Sequence, residues 1–196
     1  MKIYRRLVFI IILLALFSTD ISSIGIRMGV SGGYGSSYNQ DLGDTYGYAL
    51  IYAPYFGMEF SNGFSIILGY EGGYKKKSRS YDPAVLELSG FQVLAEYSFL
   101  KQRVAGTIKV GLGYYDVKKI YNSEELANYN INDKNLGVLF GLGINIPVDR
   151  NFYATLDVMN LVLNAKQLNR WINVGGVRYS AGLMIRFNFK RAQVAL

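Results

Sequence analysis

Arg27, Glu59, Glu71, Glu96, Lys109, Asp157, Arg178 and Arg186 are the side chains of this sequence with the greatest capacity for chemistry. Each is an ionisable residue on the strand face opposite the one that carries most of the bulky apolar side chains. Acids and bases are evenly matched, so the chemistry open to the set is ion pairing, either as a lining that gates a path or as a filler that closes one. Catalysis is not expected. The chain has no His, the usual general base for activating Ser at neutral pH. It has no Cys, which removes thiolate nucleophiles, thiolate metal sites and disulfides together.

The elements that must position these charges are alternating segments. From Val177 to Phe189 every second residue is apolar (Val177, Tyr179, Ala181, Leu183, Ile185, Phe187, Phe189), and those between are mostly small, polar or charged. Period-two alternation means one strand face meets an apolar medium and the other a polar one. An ordinary strand runs ~5–6 residues, whereas a tilted strand crossing a bilayer needs ~9–11. The pattern recurs, predicting strands over 24–34, 46–60, 64–74, 86–99, 104–116, 135–148, 152–161 and 174–189. Their connections alternate strictly between short (Ser61-Asn62-Gly63, 100–103, Asp149-Arg150-Asn151) and long and polar (35–45, 75–85, 117–134, 162–173). Short turns on one side and long loops on the other are the layout of an outer-membrane β-barrel. The expectation is therefore an all-β, eight-stranded antiparallel up-and-down transmembrane barrel over residues 24–189, with short periplasmic turns and long extracellular loops. In such a barrel Arg186, Arg27 and Glu59 should be neighbours, because the first strand pairs with both the second and the last.

The bulky face points outward in this reading, since the other face holds Gly, Ala, Ser and charges that cannot fill a dry core. Aromatics sort to the two ends of that outward face. Phe60, Phe64, Phe99, Phe152 and Phe189 lie near the short turns, and Tyr46, Tyr48, Tyr70, Tyr114 and Tyr179 near the long loops. Bilayer interfaces select for such girdles. Residues 1–23 read as a secretory signal peptide: Lys2, Arg5 and Arg6 precede an apolar run from Leu7 to Phe17 that is too short to span a bilayer.

Other motifs carry less. Gly111-Leu112-Gly113 and Gly141-Leu142-Gly143 lack the third glycine and helix of a dinucleotide site, and are better read as making room for bulky neighbours such as Tyr115. Lys75, Lys76, Lys77 and Arg79 form the densest basic cluster and are candidates for contact with lipopolysaccharide phosphate. Glu124, Glu125 and Asp133 do not match a calcium loop, so no metal or other cofactor is expected. Residues 164–171 are expected to form a short helical turn, with Trp171 as an interfacial anchor.

These residues together resemble the small eight-stranded outer-membrane barrels similar to the OmpA transmembrane domain and OmpX. The resemblance rests on the export segment, the eight alternating strands, the girdles and the ending Leu183-Met184-Ile185-Arg186-Phe187-Asn188-Phe189. It implies that Leu183, Ile185, Phe187 and Phe189 form the signal read by the barrel assembly machinery. The extension Lys190–Leu196 departs from that pattern, and no cell-wall-binding domain follows, so an OmpA-like tether is not expected. Enzymes among such barrels resemble one another in using a catalytic His, which this chain lacks. The resemblance implies a monomeric protein of the outer membrane with outer-membrane lipid as its surroundings and no nucleic-acid partner. Its expected role is structural or surface-interacting through the long loops, with the inward charges as an ion-pair network plugging the lumen. Two alternatives stand beside it: a narrow channel or carrier for small or hydrophobic molecules, and, third, a soluble lipocalin-like ligand-binding barrel.

Overall fold

The computed structural model describes residues 23–37, 49–77, 84–99, 104–121 and 130–190. The expected signal peptide up to residue 22, residues 191–196 of the C-terminal extension, and Arg79, Glu124 and Glu125 lie outside the described residues, as do Tyr46 and Tyr48. Eight long strands form a closed barrel: β1 (Ser23–Ser37), β2 (Ala49–Phe60), β3 (Phe64–Lys77), β4 (Ala84–Phe99), β5 (Ala105–Tyr121), β6 (Ile131–Pro147), β7 (Phe152–Val162) and β10 (Gly176–Lys190). Between β7 and β10, β8 (Asn164–Gln167) and β9 (Arg170–Asn173) make a separate two-stranded hairpin. All neighbours are antiparallel, and β1 closes on β10 from Ser23↔Lys190 to Ser37↔Gly176. Closure leaves no unpaired strand edge, which hydrocarbon would not tolerate.

Side chains alternate as the period-two pattern requires. On β6, Leu136, Val138, Phe140, Leu142, Ile144 and Ile146 are exposed on the outside, while Gly137, Leu139, Gly143 and Asn145 are buried within. At ~3.3 Å per residue the outward run from Leu136 to Ile146 extends roughly 33 Å, or about 23 Å along the membrane normal at a tilt near 45°. That is close to the ~25 Å apolar band of an outer-membrane barrel. Phe99 and Phe152 are exposed at its short-turn end, and Tyr114 and Tyr179 at the other.

Three expectations are corrected. The inward face is not restricted to small and charged residues. Toward the long-loop end Leu88, Tyr115, Val117, Ile131, Leu139, Leu161, Leu163 and Ala165 pack into an apolar cluster that fills the lumen. Inward glycines make this possible: a Cβ on Gly90 would lie 2.6 Å from the Tyr115 ring. The same cluster explains why β5 and β6 run past residues 116 and 135, since Val117 and Ile131 remain buried there and keep the ladder going. Residues 164–171 form no helical turn. Leu161, Leu163 and Ala165 continue the inward alternation, and Leu168 and Asn169 take successive positive φ angles (45° and 62°) that close a tight hairpin. A β-bulge also shifts the β3 register, between Glu71↔Gly90 and Tyr74↔Leu88, at Gly72-Gly73.

The short turn after β2 is set by its residues. Gly63 (φ 85°) donates to Phe60 O at 3.0 Å, and Asn62 Oδ1 accepts from Phe64 N–H at 3.0 Å. Gly63→Ala should cost about 1–2 kcal/mol by forcing a Cβ into the left-handed region. Urea titration of the detergent-folded protein, scored by heat-modifiable migration, should show the lower midpoint.

Candidate functional site

The inward charges meet in the lumen as three groups stacked along the barrel. Nearest the short turns, Arg186 Nε lies 2.8 Å from Glu59 Oε2, and its guanidinium sits 4.5 Å over the Tyr153 ring. Next comes a four-residue chain: Arg27 Nη1 to Glu96 Oε1 at 2.5 Å, Glu96 Oε2 to Lys109 Nζ at 3.4 Å, and Lys109 Nζ to Asp157 Oδ1 at 2.6 Å. Above it Arg178 pairs with Glu71 and donates to the Tyr115 hydroxyl at 3.3 Å.

Backbone register places some of these partners and the barrel's cross-section the others. Glu96 and Lys109 are direct partners on β4 and β5. Arg27 on β1 reaches Glu96 on β4, and Arg178 on β10 reaches Glu71 on β3, so both span the lumen between strands that are not neighbours. Arg186, Arg27 and Glu59 are neighbours as expected, though they do not form one ion-paired group. Arg27 and Arg186 are indeed Cα partners, but Arg186 takes Glu59 while Arg27 turns across to Glu96. Like charges on adjacent strands separate toward different carboxylates.

Burial makes the pairing obligatory. Arg27, Glu96, Glu71 and Arg178 are each 3% exposed or less. An isolated charge there would carry a large desolvation cost, and each is matched by an opposite one. Between the Arg27–Glu96 chain and the Arg178–Glu71 pair lies a cavity of about 60 Å³, lined in part by Gln92 and Lys109 as well as these four. It has room for a few waters.

Tyr115, the inward residue for which the glycines make room, lies in this lumen, and so do Tyr153 and Lys119, which the sequence reading does not include. Lys119 shares the inward parity of Lys109 and is buried with its ammonium 4.8 Å from the Tyr121 ring. It lies beyond residue 116, where the alternation in the sequence predicts the strand to end. Lys75, Lys76 and Lys77 lie on β3, opposite Glu87, Leu86 and Val85, rather than at the start of a loop, and their side chains are not among those described. On β10, Leu183 and Phe187 are exposed and Ile185 is part-buried, while the Phe189 side chain is not described. Among the described residues no cluster of acidic side chains could hold a metal ion.

Above the apolar band, Asp133 ties the β8–β9 hairpin to the barrel. Its Oδ2 accepts from Lys166 N–H at 3.0 Å and from Asn135 Nδ2 at 2.6 Å, and its Oδ1 from Lys134 N–H at 2.9 Å. The Lys166 amide, then the Asn135 and Lys134 donors, hold this carboxyl below the usual aspartate range.

No protein-family model and no curated protein matches the chain. Its structure is similar to Neisserial surface protein A (TM-score 0.56, 15% identity, covering 84% of this chain and 97% of that one). It is also similar to OprG from Pseudomonas aeruginosa (TM-score 0.58, 11% identity, 86% and 97% covered). A third likeness is to the N-terminal β-barrel domain of Pseudomonas aeruginosa OprF (TM-score 0.50, 16% identity, 86% and 98% covered). The fold is that of the small eight-stranded outer-membrane β-barrels. Its apolar outer band has the thickness that a membrane-spanning barrel of this fold requires.

Two outcomes test this lumen. Glu96→Ala leaves Arg27 and Lys109 facing one carboxylate fewer and should destabilise the barrel by ~3–5 kcal/mol in urea titration. Asp133 has a lowered pKa in the folded state, so its stabilisation is present above the unfolded aspartate range and lost as pH falls through the folded value. Hydrogen exchange at the Lys166 amide, corrected for intrinsic rates, should lose protection over that acidic interval, and Asp133→Asn should shift or abolish the transition.

Proposed function

We propose that this protein is a non-enzymatic, monomeric outer-membrane barrel with a structural or surface-interaction role, contacting its partners through the long-loop end. The observation that carries this reading is the filled lumen. Buried ion pairs occupy its short-turn and middle parts, and the Tyr115–Leu139–Leu161 cluster occupies the rest. An eight-stranded barrel is only wide enough for side chains to fill it. The function then falls to the outside, where the hairpin tip presents Leu168 and Trp171, 53% and 64% exposed, beside the exposed Lys166 and Arg170. Exposed apolar and basic groups on a rigid hairpin suit contact with an amphipathic or acidic partner. In the same reading the short-turn end is periplasmic, and Leu183, Ile185, Phe187 and Phe189 serve recognition by the barrel assembly machinery. The Lys75–Lys77 and Arg79 cluster contacts lipopolysaccharide.

The charged cavity of about 60 Å³ favours a second reading, a narrow channel or carrier. It lacks the size for a solute larger than water unless the ion pairs above and below it part. A soluble lipocalin-like barrel is opposed by the outward apolar band. Planar-bilayer recording on the folded protein separates the first two readings. Baseline current without unitary steps is expected. Steps that disappear in Glu71→Gln or Lys109→Met would establish the channel instead.

A further inference from the structure

The short turn after β2 holds the one Asn-Gly pair of the chain, Asn62-Gly63. Such a pair carries its own reaction. Once a hydroxide ion has taken its proton, the Gly63 backbone nitrogen can attack Asn62 Cγ, because glycine has no side chain to block the approach. A C–N bond forms and closes a five-membered succinimide. The bond from Cγ to the side-chain nitrogen breaks, and ammonia leaves with a proton taken from water. Water then opens the ring at one of its two carbonyls. One opening leaves aspartate at position 62. The other leaves isoaspartate, whose backbone runs through the side-chain carbon and is one atom longer.

In the closed barrel both reacting groups are engaged. Gly63 N–H donates to Phe60 O at 3.0 Å, and Asn62 Oδ1 accepts from Phe64 N–H at 3.0 Å, which fixes the carboxamide. Ser98 N–H on β4 donates to Gly63 O at 2.8 Å. Gly63 is buried at φ 85°, so the residue that must turn toward Asn62 Cγ is held at both its nitrogen and its oxygen. Asn62 itself is exposed, so water reaches it and only the geometry stands in the way. An unfolded chain has none of these restraints.

The ladder beyond the turn makes a longer backbone costly. Pairing of β2 with β3 runs from Glu59↔Ser65 to Tyr55↔Gly69, breaks at Pro54, which has no N–H to give, and resumes at Tyr52↔Gly72. The β4–β5 ladder, by contrast, is continuous from Ala84↔Tyr121 to Phe99↔Gly106. The β2–β3 register therefore rests heavily on the turn. An extra backbone atom enlarges the ring closed by Gly63 N–H and Phe60 O and displaces β3 against both β2 and Ser98, and a slipped register undoes the facing of a strand. Aspartate alone keeps the turn, since a carboxylate accepts from Phe64 N–H as the amide oxygen does. We infer that Asn62 is a spontaneous deamidation site, open in the unfolded chain and shut in the closed barrel, whose isoaspartate product bars the chain from closing. The Asn62-Gly63 pair thereby limits how long an unfolded chain stays able to fold.

The full-length protein would be held in parallel unfolded in guanidinium chloride and folded in detergent micelles, at one mildly alkaline pH. Peptide mass spectrometry would follow loss of the Asn62 amide, with Asn188, which precedes the bulky Phe189, as the internal control. The unfolded chain should lose the amide at least about tenfold faster than the folded barrel, where reaction waits on local opening. Aged unfolded chains, moved into detergent, should then sort by heat-modifiable migration. Aspartate should enter the folded band with the unreacted chains, and isoaspartate should stay in the unfolded band. Asn62→Asp, which adds the charge without the longer backbone, should fold as wild type does. Absence of loss in the unfolded chain would overturn the site, and equal loss in the two states would overturn its protection by the turn. Isoaspartate spread evenly over both bands would overturn the bar on closure. So would an Asn62→Asp chain that fails to fold, since the charge alone would then suffice.

Discussion

Hydrocarbon offers the backbone no hydrogen-bond partner, and the rest of this structure follows from that constraint. A chain made of strands meets it only by closing on itself, as β1 and β10 do over their whole length. Closure with tilt divides every strand into an outward and an inward set, so each residue's medium is decided by parity. Leu142 and Gly143 are sequence neighbours, yet one faces lipid and the other lies against Asp157 and Thr107.

The inward set has to fill a narrow tube without leaving charge uncompensated. This chain does so with two materials at different heights. Ion pairs that cross the lumen occupy the short-turn and middle parts, and a dry apolar cluster anchored by Tyr115 occupies the long-loop part. Cross-lumen pairs such as Arg27–Glu96 also fix the barrel's shape, since each ties opposite walls together rather than adjacent strands. Glycines at positions such as Gly90 and Gly113 give Tyr115 the space that a Cβ would deny it.

The strand number, the facing of each strand and the membership of the ion-pair set were legible in the sequence because all three depend on parity alone. Who pairs with whom was less so. Arg27 reaches Glu96 rather than Glu59 because the partner across a lumen is set by tilt and stagger, which a local pattern does not encode. The inward bulky residues Leu139, Met159 and Leu161 share their face with many small residues, so parity alone does not mark them as lumen fillers. The β8–β9 hairpin was missed for another reason: its turn is built on Leu168 and Asn169 at positive φ, and leucine gives no turn signal.

The central claim is that one face of each strand meets lipid and the other a filled lumen. The chain has no cysteine, so single cysteines can be placed along β6 and spin-labelled without background. Labels at Leu136, Val138, Phe140, Leu142 and Ile144 should collide freely with dissolved oxygen and little with a polar reagent. Labels at Gly137, Leu139, Gly141 and Gly143, in variants that still fold, should be poorly reached by either. Strong collision with the polar reagent on the inward set would mean an open pore. Loss of the alternation would mean that this strand does not line a membrane-spanning barrel.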